Sequence, residues 1–176
     1  MQFDGIIPSI LYNTVDAAIS GLTKNPEREK MVLFSDPYYV AGQNMMIRKA
    51  DEEKYKTLSD LEGLKICVQI GSVGAEVASE VEDAKVINYN TMTEAYIELG
   101  KGVCEASITG SHVNEYYLNQ TKDTKLAHVA SSMVRARDLG IITNKSNTAL
   151  MDKINHGLKN IKENGQYDKI YAKWFK

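Results

Sequence analysis

The segment LKICVQIGSVG, residues 64–74, joins a short apolar run to a glycine-containing turn. Residues 64–70 predict a buried strand, because the run is short, apolar and ends at a glycine. Gly71 and Ser72 then open a helix that we expect to extend to about Glu80. A strand that passes directly into a helix is the repeating element of α/β folds.

The same alternation continues on both sides of this segment. Thr91 and Glu94 form the capping box of a following helix, and Gly165 closes a long one. This alternation predicts an α/β fold with mostly parallel sheets. The other predicted strands are 15–19 (buried), 43–48, 85–89, 105–109, 126–130 and 140–143, and the other predicted helices are 4–12, 26–30, 59–63, 112–119, 146–164 and 166–175, the last with Ile170, Tyr171 and Trp174 facing inward.

The composition is that of an ordinary globular protein. The chain has 176 residues, 43% of them hydrophobic and 25% charged, with a formal net charge of −2. That length fits one domain or two small lobes, and the balanced charge argues against nucleic acid as a partner. The apolar runs are too short for a membrane span, and residues 1–5 lack the pattern of a signal peptide. We therefore expect either a cytoplasmic start or a chain whose front has been removed.

The cysteines and histidines give no sign of metal or redox chemistry. Cys67 and Cys104 each lie in a short apolar run, so we predict two buried thiols that act as small hydrophobic side chains. His112, His128 and His156 lie on separate predicted elements without metal-ligand spacing. Nucleophile, phosphate-loop and dinucleotide motifs are also lacking, so we expect no metal and no cofactor.

Two places carry residues suited to an anionic ligand. Arg28 follows a predicted strand end and can grip a carboxylate through two parallel hydrogen bonds. The turn at Gly71 and Ser72 opens a helix, whose first N–H groups favour an anion. The alternatives are a surface arginine paired with Glu27 or Glu29 and an ordinary strand-to-helix turn. From the residues alone these alternatives are preferred.

Six segments, taken in order, resemble the extracellular solute-binding proteins of ABC importers for polar amino acids. They cover almost the whole chain: FDGIIPSI at 3–10, VDAAISGLT at 15–23, PER at 26–28, FSDPYY at 34–39, SDLEG at 59–63 and NGQYDKIYAKWF at 164–175.

The resemblance implies a two-lobed periplasmic-binding-protein clamp with parallel or mixed sheets that closes on a ligand. Lobe one would comprise residues 1–44 and 138–176, and lobe two residues 45–137. The crossovers would lie near 42–46 and 137–141, with the ligand in the cleft.

The resemblance also implies site residues. Arg28 would bind the ligand α-carboxylate, and the remaining residues would contact the rest of the ligand. Those residues are Phe3 as a wall of the side-chain pocket, Ser20, Gly21 and Thr23 as hydrogen-bonding groups of lobe one, and Gly71, Ser72 and Val73 as the helix start of lobe two.

This sequence departs from the family pattern at several positions. The family has an aspartate that neutralises the ligand ammonium at the position of Gly110, and an unpaired buried ammonium costs several kcal/mol. The family has threonine at the position of Val73, and Asn25 replaces another threonine. Glu105 is too far back on its strand to compensate, and His112 is expected on the outer side of its helix.

The family chain also starts earlier, with a βαβ unit of about 30 residues. Without it, lobe one would expose sheet edges and apolar surface. Three outcomes stay open: a fragment of a longer product, a homodimer or domain swap through the incomplete lobe, or a shortened relative that no longer binds amino acids.

The resemblance implies a binding protein, not an enzyme, that captures a small amino acid and delivers it to a membrane permease outside the cytoplasmic membrane, often as a lipoprotein. One alternative is a dehydratase-like enzyme on the same scaffold that acts on a cyclic carboxylic acid. Its general acid or base would be His112, the one group near the strand ends of lobe two that titrates near neutral pH. A sensory or non-binding shortened relative is the other alternative.

Overall fold

A computed structural model describes residues 1–175, with side chains through Trp174. It has seven α-helices and eight strands in that range, with two 3-10 turns at Lys49–Asp51 and Leu58–Leu61. In chain order they are α1 Ile6–Leu11, β1 Ala17–Ala18, α2 Pro26–Met31, β2 Val32–Phe34, β3 Tyr39–Arg48, β4 Lys65–Gln69, α3 Val73–Ser79, β5 Lys85–Tyr89, α4 Met92–Gly100, β6 Ala106–Gly110, α5 Ser111–Thr121, β7 Leu126–Leu139, β8 Ile142–Asn144, α6 Thr148–Glu163 and α7 Gln166–Phe175.

The chain divides into two compact units. The central unit comprises Met1–Asp4 and Ala41–Ala136, and the terminal unit comprises Gly5–Val40 and Arg137–Lys176. Both divisions after the N-terminal segment fall inside long strands, β3 and β7. The sequence places residues 1–4 in lobe one, whereas in the structure they belong to the central unit.

The central unit is built on a five-stranded mixed sheet of order β5-β4-β6-β3-β7. Strands β5, β4 and β6 are parallel, and β3 runs antiparallel to β6. Alternate side chains enter two separate cores: Met45 and Ile66 pack with α3, while Met46 and Cys67 pack with α4. Because both faces are covered, these strands are apolar on consecutive residues, as the sequence pattern indicated.

The terminal unit has a smaller sheet of order β1-β8-β2. Both of its strand pairs are antiparallel, with Ala17 opposite Thr143 and Leu33 opposite Thr143 on the other side. The prediction of mostly parallel sheets is therefore wrong for this unit. Strands this short carry too little pattern to indicate their direction.

Two burial predictions in the terminal unit are also wrong. Residues 15–19 form only the two-residue strand β1, and Ile19 is exposed. Ile170 and Trp174 of α7 are 47% and 45% exposed, although the sequence predicts that they face inward. The helix is packed on its tyrosine side instead, where Tyr171 stacks on Tyr39 with ring centroids 6.2 Å apart.

The two cysteines form a disulfide, so the prediction of free buried thiols is wrong. Cys67 lies on β4 and Cys104 lies just before β6, the neighbouring strand, with their Cα atoms 5.9 Å apart. Both residues are fully buried. Strand pairing brings them together, and a spacing of 37 residues in sequence does not reveal that pairing.

Within residues 1–175, none of the helices is both long and apolar enough to cross a membrane.

We expect the disulfide to stabilise the central unit. It closes a 37-residue loop, for which chain entropy predicts about 3 to 4 kcal/mol. Urea unfolding of the oxidised protein should therefore have a higher midpoint than unfolding in dithiothreitol. The double variant Cys67→Ala/Cys104→Ala serves as the control, because its midpoint should not respond to the reductant. Equal midpoints for oxidised and reduced wild-type protein would contradict the prediction.

Candidate ligand-binding site

Arg28 is fixed in the first turn of α2. Asn25 caps this helix, with its Oδ1 accepting a hydrogen bond from the Arg28 backbone N–H at 2.8 Å. Pro26 then occupies the first helical position, where its missing N–H costs nothing. The Arg28 Nη1 donates to the Thr23 carbonyl oxygen at 2.9 Å. The cap fixes the Arg28 backbone, and the hydrogen bond to Thr23 holds the guanidinium against the segment that precedes the helix.

Burial distinguishes this arginine from an ordinary surface residue. Arg28 is only 6% exposed, and Glu29 pairs with Lys24 at 3.2 Å. The alternative from sequence that Arg28 is a surface residue is therefore wrong. Buried arginines are uncommon unless their donors are used, and a planar guanidinium is suited to a carboxylate.

The segment before α2 is held by backbone pairing. Thr23 forms a β-bridge with Leu139, and the neighbouring Lys24 N–H donates to the Asp138 carbonyl at 2.8 Å. Thr23 is buried, whereas Ser20 is exposed. This pairing places the Thr23 carbonyl where it accepts the hydrogen bond from the Arg28 guanidinium.

Gly21 adopts a conformation that favours glycine, with φ of 64°. Its N–H donates to the Tyr38 hydroxyl at 3.1 Å. Burial raises the pKa of Tyr38, so that hydroxyl stays protonated across the physiological range. The Gly21 N–H is thus already used within the protein.

In the central unit, the turn after β4 presents a capped helix start. The Ser72 Oγ accepts a hydrogen bond from the Ala75 N–H at 3.1 Å and caps α3. Ser72 and Val73 are buried, and Gly71 has a φ of 72°. A Cβ added at Gly71 would lie 3.0 Å from the Cβ of Asp4, so the N-terminal segment passes directly over this turn.

Phe3 belongs to that N-terminal segment. It is half-buried and lies in the central unit, beside the residue that contacts Gly71. The family resemblance instead implies that Phe3 lies in lobe one, together with Arg28. Phe3 lies three residues before α1, which is part of the terminal unit, so its position along the chain does not reveal its place in the central unit.

A second strand-to-helix junction lies beside this turn. A Cβ added at Gly74 would lie 2.2 Å from the Ile108 carbonyl oxygen, so α3 rests directly on the end of β6. At Gly110, which ends β6, an added Cβ would lie 2.6 Å from the His112 Cε1 and 2.9 Å from its Nδ1. The imidazole therefore occupies the space in which a side chain at residue 110 would begin.

His112 is the group near this junction that sequence reasoning misplaced. The sequence predicts it on the outer side of its helix, but the ring is largely buried against Gly110. That burial lowers the pKa of the imidazole, so the ring is neutral at pH 7. The sequence carries one signal for this placement: His112 is the second residue of α5, and a glycine precedes the helix.

A buried polar network holds α5 in place. Tyr96 Oη donates to Asn114 Oδ1 at 2.6 Å, and Asn114 Nδ2 donates to Asn44 Oδ1 at 2.7 Å. The Asn44 amide lies 3.3 Å from the His128 Nδ1 and completes the chain. Fully satisfied networks of this kind fix one arrangement, so the start of α5, with His112, has a defined position.

The predicted site residues therefore form two groups. In the terminal unit, Thr23 and Arg28 are joined by a hydrogen bond, and Ser20 and Gly21 precede them along the chain. In the central unit, Gly71, Ser72 and Val73 form one turn, and Gly110 lies at the junction beside it. Among residues 1–175, His, Cys, Asp and Glu side chains form no group of three or more that could hold a metal ion.

Known proteins are similar to this chain in sequence and fold. The family model for bacterial extracellular solute-binding proteins, family 3, matches residues 1–176. The "ABC transporter arginine-binding protein 1" of Escherichia coli strain K12 is 32% identical over 98% of this chain and 71% of that protein. The chain thus spans about seven-tenths of that relative.

Two solved structures have similar folds. A mutant of ArgBP from T. maritima superposes with a TM-score of 0.93 at 36% identity, covering 99% of this chain and 75% of that one. The ancestral amino acid-binding protein AncCDT-1, described as a precursor of cyclohexadienyl dehydratase, superposes with a TM-score of 0.92 at 35% identity. Its match covers 100% of this chain and 76% of that one.

We expect Gly110→Ala to destabilise the protein by about 1 to 3 kcal/mol, because the new Cβ would displace the His112 ring. In a His112→Ala background, the same change should cost less than about 0.5 kcal/mol. Chemical unfolding of the four proteins in this double-mutant cycle measures the difference.

Gly100→Ala is the matched control, since a Cβ there meets nothing within 4 Å. It should leave stability unchanged or raise it. An equal cost of Gly110→Ala in both backgrounds would show that the His112 ring is not the reason why a side chain at residue 110 is unfavourable.

Proposed function

We propose that this chain, which belongs to the bacterial extracellular solute-binding proteins, family 3, captures a small amino acid and delivers it to the permease of an ABC importer. Its place of work would be outside the cytoplasmic membrane, anchored there as a lipoprotein. The ligand class is that named for its arginine-binding and amino acid-binding relatives.

The observation that carries the proposal is the buried guanidinium of Arg28. Asn25 caps the Arg28 backbone N–H and the Thr23 carbonyl accepts a hydrogen bond from the guanidinium, so its position is fixed by the protein itself. A pre-positioned group avoids the entropic cost of being ordered during binding. An α-carboxylate is shared by all amino acids, and it matches the two parallel donors that a guanidinium offers.

Other predicted residues would complete the contacts. Ser20, the Gly21 carbonyl and Thr23 would serve as hydrogen-bonding groups in the terminal unit. The Ser72 hydroxyl accepts from Ala75 and so keeps its own proton for donation. Val73 would line the site with its apolar side chain, and Phe3 would contact the ligand side chain.

Thermal unfolding against a set of amino acids and small carboxylic acids tests the proposal. A ligand at a hundred times its dissociation constant should stabilise the protein by about 2.7 kcal/mol, which is a shift of several degrees. Arg28→Gln should then lower affinity by at least about 30-fold, corresponding to about 2 kcal/mol for removing one partner of a buried charge pair.

The matched control is Lys30→Gln, an exposed cation on the same helix, which should leave affinity unchanged. Undiminished affinity in the Arg28→Gln protein would refute the assignment of the carboxylate. A cooperative melt without any ligand shift would favour a sensory or non-binding protein.

A second candidate function is a dehydratase-like activity on a cyclic carboxylic acid. The neutral, largely buried His112 at the end of β6 favours it, because such an imidazole can act as a general base. Under this alternative, the ligand screen would give a shift only with acids that lack an amino group. If the protein forms a product from such an acid, and His112→Ala abolishes that product, the dehydratase-like function would be supported in place of transport.

We also propose that the protein forms a homodimer through its terminal unit. The sheet of this unit has three strands, with β1 and β2 at its two edges. Its surface also exposes several large apolar side chains, namely Ile19, Met31, Ile170 and Trp174. Open edges and apolar patches are the surfaces through which copies of a chain pair or exchange elements.

Light scattering coupled to size-exclusion chromatography should give the mass of two copies at a protein concentration of tens of micromolar. Ile170→Lys/Trp174→Lys should give one copy, because two charges would be buried in the interface. Ile97→Lys, an equally exposed residue of the central unit, should remain a dimer. A wild-type protein that stays monomeric at this concentration would refute the proposal.

A further inference from the structure

The terminal unit contains an open cavity of about 500 Å³ whose wall includes three aromatic rings. Tyr38 directly precedes β3, Tyr39 is the first residue of that strand, and Tyr167 is the second residue of α7. Every residue of the wall belongs to the terminal unit, and none of them is among the residues predicted to contact an amino acid. A cavity of this size can hold a small organic molecule.

Hydrogen bonds and ring contacts within the protein hold each of these tyrosines. The Tyr167 hydroxyl donates to the Tyr38 carbonyl at 2.7 Å, and the Tyr38 hydroxyl accepts a hydrogen bond from the Gly21 N–H at 3.1 Å. The Tyr39 ring stacks on Tyr171, with the ring centroids 6.2 Å apart. The rings are therefore preorganised, and a guest molecule does not have to order them.

Two carboxylates share the wall with the rings. Asp138 on β7 is half-buried, and Asp168, the residue after Tyr167, is exposed. Burial raises the pKa of Tyr167, and the nearby charge of Asp168 adds to this effect. The phenol therefore stays neutral at pH 7, beside a carboxylate close enough to influence it.

One ammonium group opposes the two carboxylates. Among the wall residues that the structure describes, Lys162 is the one cation, and its Nζ donates to the Pro37 carbonyl at 2.7 Å. Two carboxylates against one ammonium leave the wall with a net charge of −1. The cavity therefore combines aromatic surface with a small excess of negative charge.

We propose that this cavity binds a small quaternary ammonium cation. The faces of tyrosine rings attract cations, and groups of aromatic side chains are the usual binding sites of quaternary ammonium ions. The carboxylates add Coulombic attraction, which requires no hydrogen bond to the guest. The Tyr38 and Tyr167 hydroxyls are already hydrogen-bonded within the protein, so the wall suits a cation without N–H donors better than a primary ammonium or a guanidinium.

NMR titration with choline tests the proposal. The matched probe is 3,3-dimethylbutan-1-ol, in which an uncharged carbon replaces the choline nitrogen, and choline should bind at least about 10-fold more tightly than this alcohol. The N-methyl resonance of choline should also move upfield, because it would lie against ring faces. Choline has no carboxylate, so the result depends neither on Arg28 nor on the proposed transport function. Equal affinity of the two probes, or no binding of choline at tens of millimolar, would overturn the proposal.

Variants of one ring separate recognition of a cation from packing. Tyr39→Leu removes the aromatic face but keeps an apolar side chain, and it should weaken choline binding by about 5-fold or more. Tyr39→Phe keeps the face and should stay within about 2-fold of the wild type. Unchanged affinity in Tyr39→Leu, or an equal loss in both variants, would assign this ring to the packing of α7 alone.

Variants of the exposed charges test the electrostatic part without disturbing the packing. Asp168→Asn should weaken choline binding by about 3-fold, and Lys162→Gln should strengthen it by about 2-fold, because each removes one charge from the wall. Asp152→Asn is the matched control, since it removes an exposed carboxylate of α6 that lies outside the wall, and it should have no effect. Equal affinities in all three variants would contradict the role of the wall charges.

Discussion

The end of β6 is the constraint on which the central unit depends. Helix α3 approaches so closely that Gly74 has no space for a Cβ, which would meet the Ile108 carbonyl at 2.2 Å. One strand end therefore supports the start of α3 and continues into α5. Two glycines, Gly74 and Gly110, permit this close packing, because a Cβ at either position would meet a neighbouring residue. A larger residue at either position would move a helix start or the His112 ring.

Buried polar groups make the same unit specific as well as stable. Tyr96, Asn114 and Asn44 form a chain of hydrogen bonds in which each amide has a defined donor and acceptor role. The disulfide ties β4 to the segment before β6, close to the same strands. Arg48 adds to this region by donating to the Cys104 carbonyl at 2.6 Å. These interactions act on different strands and helices, so together they restrict how the sheet can shift.

Sequence reasoning was accurate where structure is local. Strand β5 matches its predicted bounds, and the capping box of Thr91 and Glu94 is present in α4. Such features depend on residues a few positions apart, and their hydrogen bonds close within one turn. The family itself was identified from ordered segments along the whole chain, and the family match over residues 1–176 confirms it.

The remaining features depend on contacts between distant residues. The disulfide requires knowing that β4 and β6 are neighbours, and the exposure of Trp174 depends on what else packs against α7. The misplacement of His112 has a subtler cause. Helical periodicity alone describes a regular helix face, but at the first turn the side chain can fold back over the preceding residue. Only a glycine at 110 leaves room for this.

Arg28 and His112 represent two different solutions for a polar side chain in a largely buried position. The guanidinium cannot lose its charge, so the protein has to surround it with acceptors, of which the Thr23 carbonyl is one. The imidazole can lose its charge, and burial shifts it to the neutral form. The two side chains therefore differ in charge at pH 7, the guanidinium being a fixed cation and the imidazole neutral. Any side chain at residue 110 would require the ring to move. The absence of a side chain at residue 110 thus allows the imidazole to occupy the space at the end of β6.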